Sequence, residues 1–365
     1  MHTFDRGTSN GEGFPPFLFI SLTHACNLQC RGCWARPNPP PAELSWEDAN
    51  RIIADAKSQG SRFFGLLGGE PLLYENLFHL MAAHPDCYFQ VFTNGTLMTQ
   101  EVAERMRTLG NVTPLISVEG LEEVSDLRRG GREVYARTME ALHWARRSRL
   151  FFGVATSVCR SNWNDLVAER FLEDLVERGA HYLWYYIYRP VGPDPAPELC
   201  LSAEEIVALR QFMVDCRSRF PLLLLDAYWD GQGRAVCPAA MGISLHINPS
   251  GDIEPCPPIQ FSRQNLAEGQ HLEPLVRESS FLREFKSFAA AKTRGCILLE
   301  DPAALREFVM SHEARDTTGR NTGLQELGEM NPQPGHHQPG REIPERGFVY
   351  RWAKRKWFFG FGAYG

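Results

Sequence analysis

Nowhere in this 365-residue chain does an apolar run approach the ~18 residues that a membrane-spanning helix needs. The opening MHTFDRGTSNGEGFPP lacks the apolar stretch of a secretory signal. Basic residues are not in excess: 38 Lys and Arg face 44 Asp and Glu, a formal charge of −6 that speaks against a nucleic-acid surface. No internal repeat of the solenoid type is present. These absences lead us to expect a cytoplasmic globular protein. In that reducing compartment the ten cysteines read as metal ligands and buried thiols rather than disulfides. With 43% apolar and 22% charged residues the chain can bury a large core. Its length, against ~150 residues for a typical domain, predicts one large domain and a smaller appendage.

What the chain does have is regular alternation. FLFISLTHA, RFFGLLGGEPL, YFQVFTNG, TPLISVEG, FFGVATSV and HYLWYYIYRP each read as a strand. Between them lie LSWEDANRIIADAKSQG, with Ser45 as N-cap, and helical stretches near 75–84, 100–109, 132–147 and 165–178. Such alternation predicts a parallel sheet. Six units are too few for a closed eight-fold barrel, so the predicted fold is α/β, a partial (β/α)6 TIM-like barrel. In folds of this kind function gathers at the C-terminal ends of strands. The polar and glycine-rich motifs sit at those ends: the cysteine triplet, GGEP, TNG, SVEG, and the SVC of Ser157–Cys159.

After a helix capped by Ser202 and Glu205 and the run LLLLD, the texture changes. VCPAAMGISLHINPSGDIEPCPP predicts two short strands around a turn at Asn248–Gly251. A helix such as FLREFKSFAA follows, then Cys296, which makes a small C-terminal α+β unit. Residues 312–347 are polar and rich in Pro and Gly, and predict an irregular, partly mobile segment with His336 and His337 in solvent.

The stretch HACNLQCRGCW carries the chemistry. Cys26, Cys30 and Cys33 are three thiols, whereas disulfides consume thiols in pairs. Two readings follow from the residues alone. His24 as a fourth ligand gives a closed zinc site, and three thiols alone give a metal centre that binds something besides protein.

CX3CX2C followed by GGEP, each after a predicted strand, resembles the radical S-adenosylmethionine (SAM) superfamily over roughly residues 16–260. The resemblance implies a [4Fe–4S] cluster on Cys26, Cys30 and Cys33, whose fourth iron chelates SAM. It implies reductive cleavage of SAM to a 5′-deoxyadenosyl radical that abstracts a substrate hydrogen, with an electron donor such as flavodoxin or ferredoxin. Gly68, Gly69 and Glu70 resemble the motif that meets the methionine amino group, with Glu70 accepting from it. Ser117 and Glu119 resemble the pair that contacts the ribose and methionine parts of SAM. Arg128 resembles an Arg that pairs with the SAM carboxylate, although Arg129 competes for that part, and Asn94 is a further contact. Gly32 departs from the family, where many relatives carry an aromatic or His.

Cys237, thirteen residues, Gly251, four residues and Cys256 resemble the opening of the SPASM auxiliary-cluster domain. Only Cys296 follows, so the resemblance is to the shortened, twitch-type domain, implying a second [4Fe–4S] cluster. Asp301, Glu300, substrate or nothing completes it. The implied layout is an extension at 1–15, the SAM-binding barrel at 16–230, an iron–sulfur domain at 231–311, the irregular segment at 312–347 and a basic aromatic tail at 348–365.

The remaining candidates are positional. Cys159, at the end of strand five, is either a catalytic thiol facing the site or an inert buried one, and Cys87, Cys200 and Cys216 read as structural. Tyr182, Trp184, Tyr186 and Tyr188 share one strand face, lining a substrate pocket or packing against helices. Asp226 and Asp230 are candidate substrate contacts. The tail sets Arg351, Lys354, Arg355 and Lys356 among Phe348, Trp352, Trp357, Phe358, Phe359 and Phe361. It either docks onto the barrel or makes a peripheral contact with an anionic membrane, and Gly360 and Gly362 favour docking because each costs an interfacial helix ~1 kcal/mol. The substrate implied by the resemblance is a peptide or protein, with a small metabolite or lipid as the rival. The absence of a leader-binding domain at the N-terminus counts against a ribosomal-peptide maturase. The reading from a different class is a non-catalytic iron–sulfur or zinc protein that senses redox state or binds a partner.

Overall fold

The computed structural model describes residues 14–36, 41–266 and 270–356. The alternation begins with β1 (Phe17–Ser21), α1 (Trp46–Ser58), β2 (Phe63–Leu67), α2 (Leu77–Ala83), β3 (Tyr88–Thr93) and α3 (Gln100–Leu109). It continues through β4 (Val112–Ser117), α4 (Glu122–Arg129), α5 (Val134–Arg147), β5 (Gly153–Val158), α6 (Trp163–Leu166), α7 (Glu169–Glu177) and β6 (Tyr182–Ile187). The six expected strands pair in parallel, each with its sequence neighbour. Helices start where capping residues satisfy orphan N–H groups: Ser45 Oγ accepts from Asp48 N at 3.0 Å, and Thr99 caps α3, which ends at Gly110 with φ +73°.

The sheet grows at both edges. After α8 (Ala203–Cys216), β7 (Leu223–Leu225) adds in parallel to β6. The hairpin of β8 (Ser244–Ile247) and β9 (Ile253–Glu254) turns at the expected place, and β8 lies parallel to β1, giving the order β7-β6-β5-β4-β3-β2-β1-β8-β9. An unpaired β1 would expose a row of backbone donors and acceptors, and the hairpin covers it. The sheet is strongly curved: the Tyr182 hydroxyl on β6 reaches over β5 to Thr113 Oγ1 on β4 at 2.8 Å and Gln90 Nε2 on β3 at 3.2 Å. Gly153 on β5 makes room, since a Cβ there would lie 2.2 Å from the Tyr182 ring. Tyr182 therefore faces the barrel interior, with Trp184 and Tyr186 stacked at 5.6 Å along the same face. Tyr185, between them, donates outward to Leu166 O of α6 at 2.8 Å.

Beyond the hairpin come β10 (Phe261–Ser262), α9 (Leu272–Arg277), α10 (Ser280–Lys292), α11 (Ile297–Glu300), α12 (Pro302–Ser311), β11 (Arg315–Asp316), α13 (Gly323–Glu329) and α14 (Phe348–Lys356). Strands β10 and β11 pair antiparallel. His336, expected in solvent, is only 3% exposed. Its ring lies 4.7 Å from that of Tyr228, and its carbonyl accepts from Trp229 Nε1 at 3.2 Å. Aromatic packing thus outweighs the polar composition around it. His337 Nδ1 lies 3.3 Å from Thr293 Oγ1.

The described part of the tail docks, with Phe348 and Trp352 on its exposed side. Phe348 is 74% and Trp352 49% exposed, whereas Tyr350, Ala353 and Lys354 form the packed face. The Tyr350 hydroxyl accepts from Leu224 N at 3.0 Å, and Lys354 Nζ donates to Trp229 O at 2.6 Å. Trp357, Phe358, Phe359, Phe361 and the two glycines Gly360 and Gly362 lie outside the described residues. Lys354 belongs to a buried group of five charges. With Arg210 and Arg217 it surrounds Asp226 and Glu345, at 3.1 Å and 3.3 Å from Lys354 Nζ. Asp226 is therefore a structural counter-ion rather than a substrate contact. Asp230 holds its own turn, accepting from Gln232 N and Arg234 N at 2.9 Å each. Among the described residues no helix is long and apolar enough to cross a membrane.

Candidate functional site

The loop of Cys26, Cys30 and Cys33 leaves the C-terminal end of β1 and is held by the neighbouring strand ends. Gly69 N donates to Thr23 O at 2.7 Å and Glu70 N to Ala25 O at 2.8 Å, which pins the chain directly before Cys26. Only glycine permits this approach. A Cβ on Gly69 would lie 2.2 Å from Ala25 O, and one on Gly68, whose φ is +149°, 2.3 Å from Thr23 O. From β3, Asn94 Nδ2 donates to Asn27 Oδ1 at 2.9 Å, and Asn27 Nδ2 donates to Thr96 Oγ1 at 2.8 Å. The C-terminus of α4 contributes Arg128 O, which accepts from Arg31 N at 2.9 Å. The loop after β6 contributes Asp194 O, which accepts from Gly32 N at 3.0 Å. Gly32 has φ +71°, and Tyr188 fills the space beside it, its hydroxyl 2.2 Å from where a Cβ would stand.

Arg129, rather than Arg128, approaches the thiols. Its Nη1 lies 3.8 Å from Cys30 Sγ, while Nη2 donates to Glu119 Oε1 at 3.2 Å. Arg128 points instead to Cys159, with Nη1 2.6 Å from the sulfur, and its Nη2 lies 3.6 Å from Glu119 Oε2. Cys159 is fully buried, beside Tyr188 and Cys200. Ser117 closes β4, two residues ahead of Glu119. Glu70, expected to accept from methionine, is fully buried and already accepts from Leu72 N, Thr93 Oγ1 and Asn94 N at 3.1, 2.7 and 2.8 Å. It latches the end of β2 to that of β3. Burial together with Cys30 raises the Cys33 thiol to about 12. Positive charge is what such thiols need to ionise, and Arg129 is placed to give it.

His24 turns away from the cysteines. Burial lowers its pKa to about 4, and the charges acting on its ring are His246, Arg320 and Asp252. Among the described residues no three His, Cys, Asp or Glu side chains converge on one metal ion. In a [4Fe–4S] cluster each thiolate takes a different iron, so a three-thiol loop beside Arg129 fits that donor set better than a closed zinc site.

Cys237, Cys256 and Cys296 come from three stretches of chain and lie near enough to act on one another's ionisation. Burial raises the Cys256 thiol, and the charges that act on it next are Arg189, Cys296 and Cys237. Burial and then Cys296 raise Cys237 to about 11. Three thiols around one guanidinium again suit a cluster. Asp301 is engaged as the cap of α12, accepting from Ala304 N at 2.9 Å. Glu300 pairs with Thr293 Oγ1, beside His337.

Two residues near the cysteines escaped sequence reasoning. Arg189 donates from Nε to Cys296 Sγ at 3.3 Å. A charge at the C-terminal end of β6 was the available signal. His246 packs against Trp34, the residue after Cys33: Nε2 is 2.8 Å from Ser21 Oγ on β1, Nδ1 is 2.5 Å from Glu254, and its ring meets Trp34 edge-on at 5.5 Å. No pattern within the short run SLHI marks it.

Residues 20–175 match the family model of the Radical SAM superfamily. An AdoMet-dependent heme synthase of Methanosarcina barkeri is 28% identical over 183 residues, covering 49% of this chain and 52% of that one, so the chain spans about half that relative's length. Mycofactocin maturase MftC of Mycobacterium tuberculosis is 28% identical over 317 residues, covering 81% of this chain and 78% of that one. Streptococcus suis SuiB bound to its precursor peptide SuiA superposes with a TM-score of 0.64 at 17% identity, over 76% of this chain and 67% of SuiB, a likeness of fold.

Proposed function

We propose, from the premise that residues 20–175 form a radical SAM superfamily domain, that this chain is an enzyme that cleaves SAM reductively and abstracts hydrogen from a peptide or protein. The observation that carries the reading is the three-thiol loop, clasped by the ends of β2 and β3, by α4 and by the loop after β6, with Arg129 beside Cys30. When bound, the [4Fe–4S] cluster and SAM supply a 5′-deoxyadenosyl radical for hydrogen abstraction. Cys26, Cys30 and Cys33 hold the cluster. The Gly68–Gly69 backbone, Asn94, Ser117 and Glu119 orient SAM, and Arg129 is better placed than Arg128 to meet a carboxylate there. Cys237, Cys256 and Cys296 hold an auxiliary cluster, and a flavodoxin or ferredoxin delivers the electron. A maturation reaction is supported by the likeness to mycofactocin maturase MftC along most of the chain. A bound substrate has room in a cavity of about 450 Å³ lined by the Pro190–Pro193 stretch and by Pro258–Phe261. That volume suits a ligand of several residues' size.

The test is anaerobic reconstitution followed by dithionite and SAM. The wild-type chain forms 5′-deoxyadenosine, and changing Cys26, Cys30 and Cys33 to Ala abolishes it. A wild-type chain that binds iron without cleaving SAM would instead support a non-catalytic iron–sulfur protein.

A further inference from the structure

One segment touches both cysteine sets. It begins at Arg189, whose Nε donates to Cys296 Sγ at 3.3 Å. Three residues on, Gly192, with φ +88°, lies so close to Cys33 that a Cβ would stand 2.2 Å from the Cys33 carbonyl oxygen. Asp194 O accepts from Gly32 N at 3.0 Å, and Glu198 pairs with Arg31 at 2.6 Å. The guanidinium of Arg189 is held in place. It lies 5.6 Å from the centre of the Tyr228 ring, and the Tyr228 hydroxyl accepts from Ile187 N at 3.0 Å on the same strand. His336 packs against Tyr228 at 4.7 Å and its Nε2 lies 3.0 Å from Val236 O, next to Cys237. Pro190 restricts the backbone of Arg189 further.

A cation fixed against thiolates favours whichever cluster state carries more negative charge. Hydrogen bonds to the sulfurs and local charge set iron–sulfur potentials over a wide range. One-electron reduction adds one negative charge to the cluster, so a fixed guanidinium with an N–H···S bond raises its potential. We propose that Arg189 is the positioning residue that sets the reduction potential of the auxiliary cluster, and that the segment it heads ties that cluster's surroundings to the backbone of Cys33. The inference rests on the auxiliary-cluster reading above.

The test is a redox titration of the reconstituted full chain, with dithionite as reductant and the two cluster signals followed by electron paramagnetic resonance. In Arg189→Met the reduced-to-oxidised ratio of the auxiliary cluster at a fixed potential falls at least tenfold, equivalent to 59 mV for one electron. Arg189→Lys keeps the charge and loses less than half of that shift. An unshifted Met variant, or a Lys variant that falls as far as Met, overturns the assignment. If the Met variant does not assemble the auxiliary cluster, Arg189→Gln, which keeps an N–H without the charge, is read by the same criterion, and an unshifted midpoint there is equally fatal. A wild-type chain with a single cluster signal rejects the auxiliary cluster itself, and this inference with it.

Discussion

The two sets of three cysteines are built in opposite ways. Cys26, Cys30 and Cys33 lie within eight residues on one loop, and backbone hydrogen bonds from the surrounding strand ends hold that loop in place. Cys26 is exposed. Cys237, Cys256 and Cys296 lie on distant stretches, and Arg189, backed by Tyr228 and His336, meets Cys296. The first set is open at Cys26, as the proposed SAM-binding centre requires. The second set carries a cation in Arg189, as the first does in Arg129. In the proposed function, one protein thus runs two clusters that differ in how the chain gathers their thiols rather than in the type of ligand.

The comparison breaks most readily at the second set, because its support is ionic. Asp226→Asn leaves Arg210, Arg217 and Lys354 facing Glu345 alone inside the protein. Uncompensated buried charge costs ~3–5 kcal/mol, to be read from urea unfolding. Lys354 also holds Trp229 O, and Trp229 holds the carbonyl of His336, so iron leaves the second set first in this variant. Equal loss from both sets would remove the distinction.

A smaller effect separates the first set. Glu119→Gln releases Arg129 and Arg128 from their shared carboxylate, a charge-assisted interaction worth ~1.5–3 kcal/mol. We expect weaker SAM binding by calorimetry, with the iron of the second set unchanged.

The smallest effect is a pH signature of the second set's support. Burial lowers Lys354 from the ordinary 10.5 to about 8, with Asp226 pulling the other way. Between those values the unfolded chain binds more protons than the folded one, so stability rises as pH goes from about 8 to 10.5. Lys354→Met flattens that rise. Unfolding free energies across the window check it, and an unchanged slope counts against the assignment.

The same contrast governs what could be read from the sequence. The first set is legible because its residues are close in the chain and sit in a strand–helix rhythm that marks each strand's end. All six strands appear where apolar runs predict them. The choice between Arg128 and Arg129 was not legible, because it depends on how α4 is rotated where its end meets Arg31 and Gln29. Nor was the pairing of β8 with β1, since a four-residue run such as SLHI carries no mark of its partner. Arg189 and His336 owe their places to long-range packing. Local composition misjudged His336 outright, because a Pro- and Gly-rich stretch reads as solvated until Tyr228 and Trp229 are seen beneath it.

The most direct test of two separate cluster sites is iron and sulfide per chain, measured after anaerobic reconstitution for three proteins: wild type, Cys26/Cys30/Cys33→Ala and Cys237/Cys256/Cys296→Ala. Two four-iron clusters predict about eight irons for the wild type and about four for each variant, with complementary spectra. A wild-type value near four, unchanged when Cys237, Cys256 and Cys296 are replaced, would contradict the account.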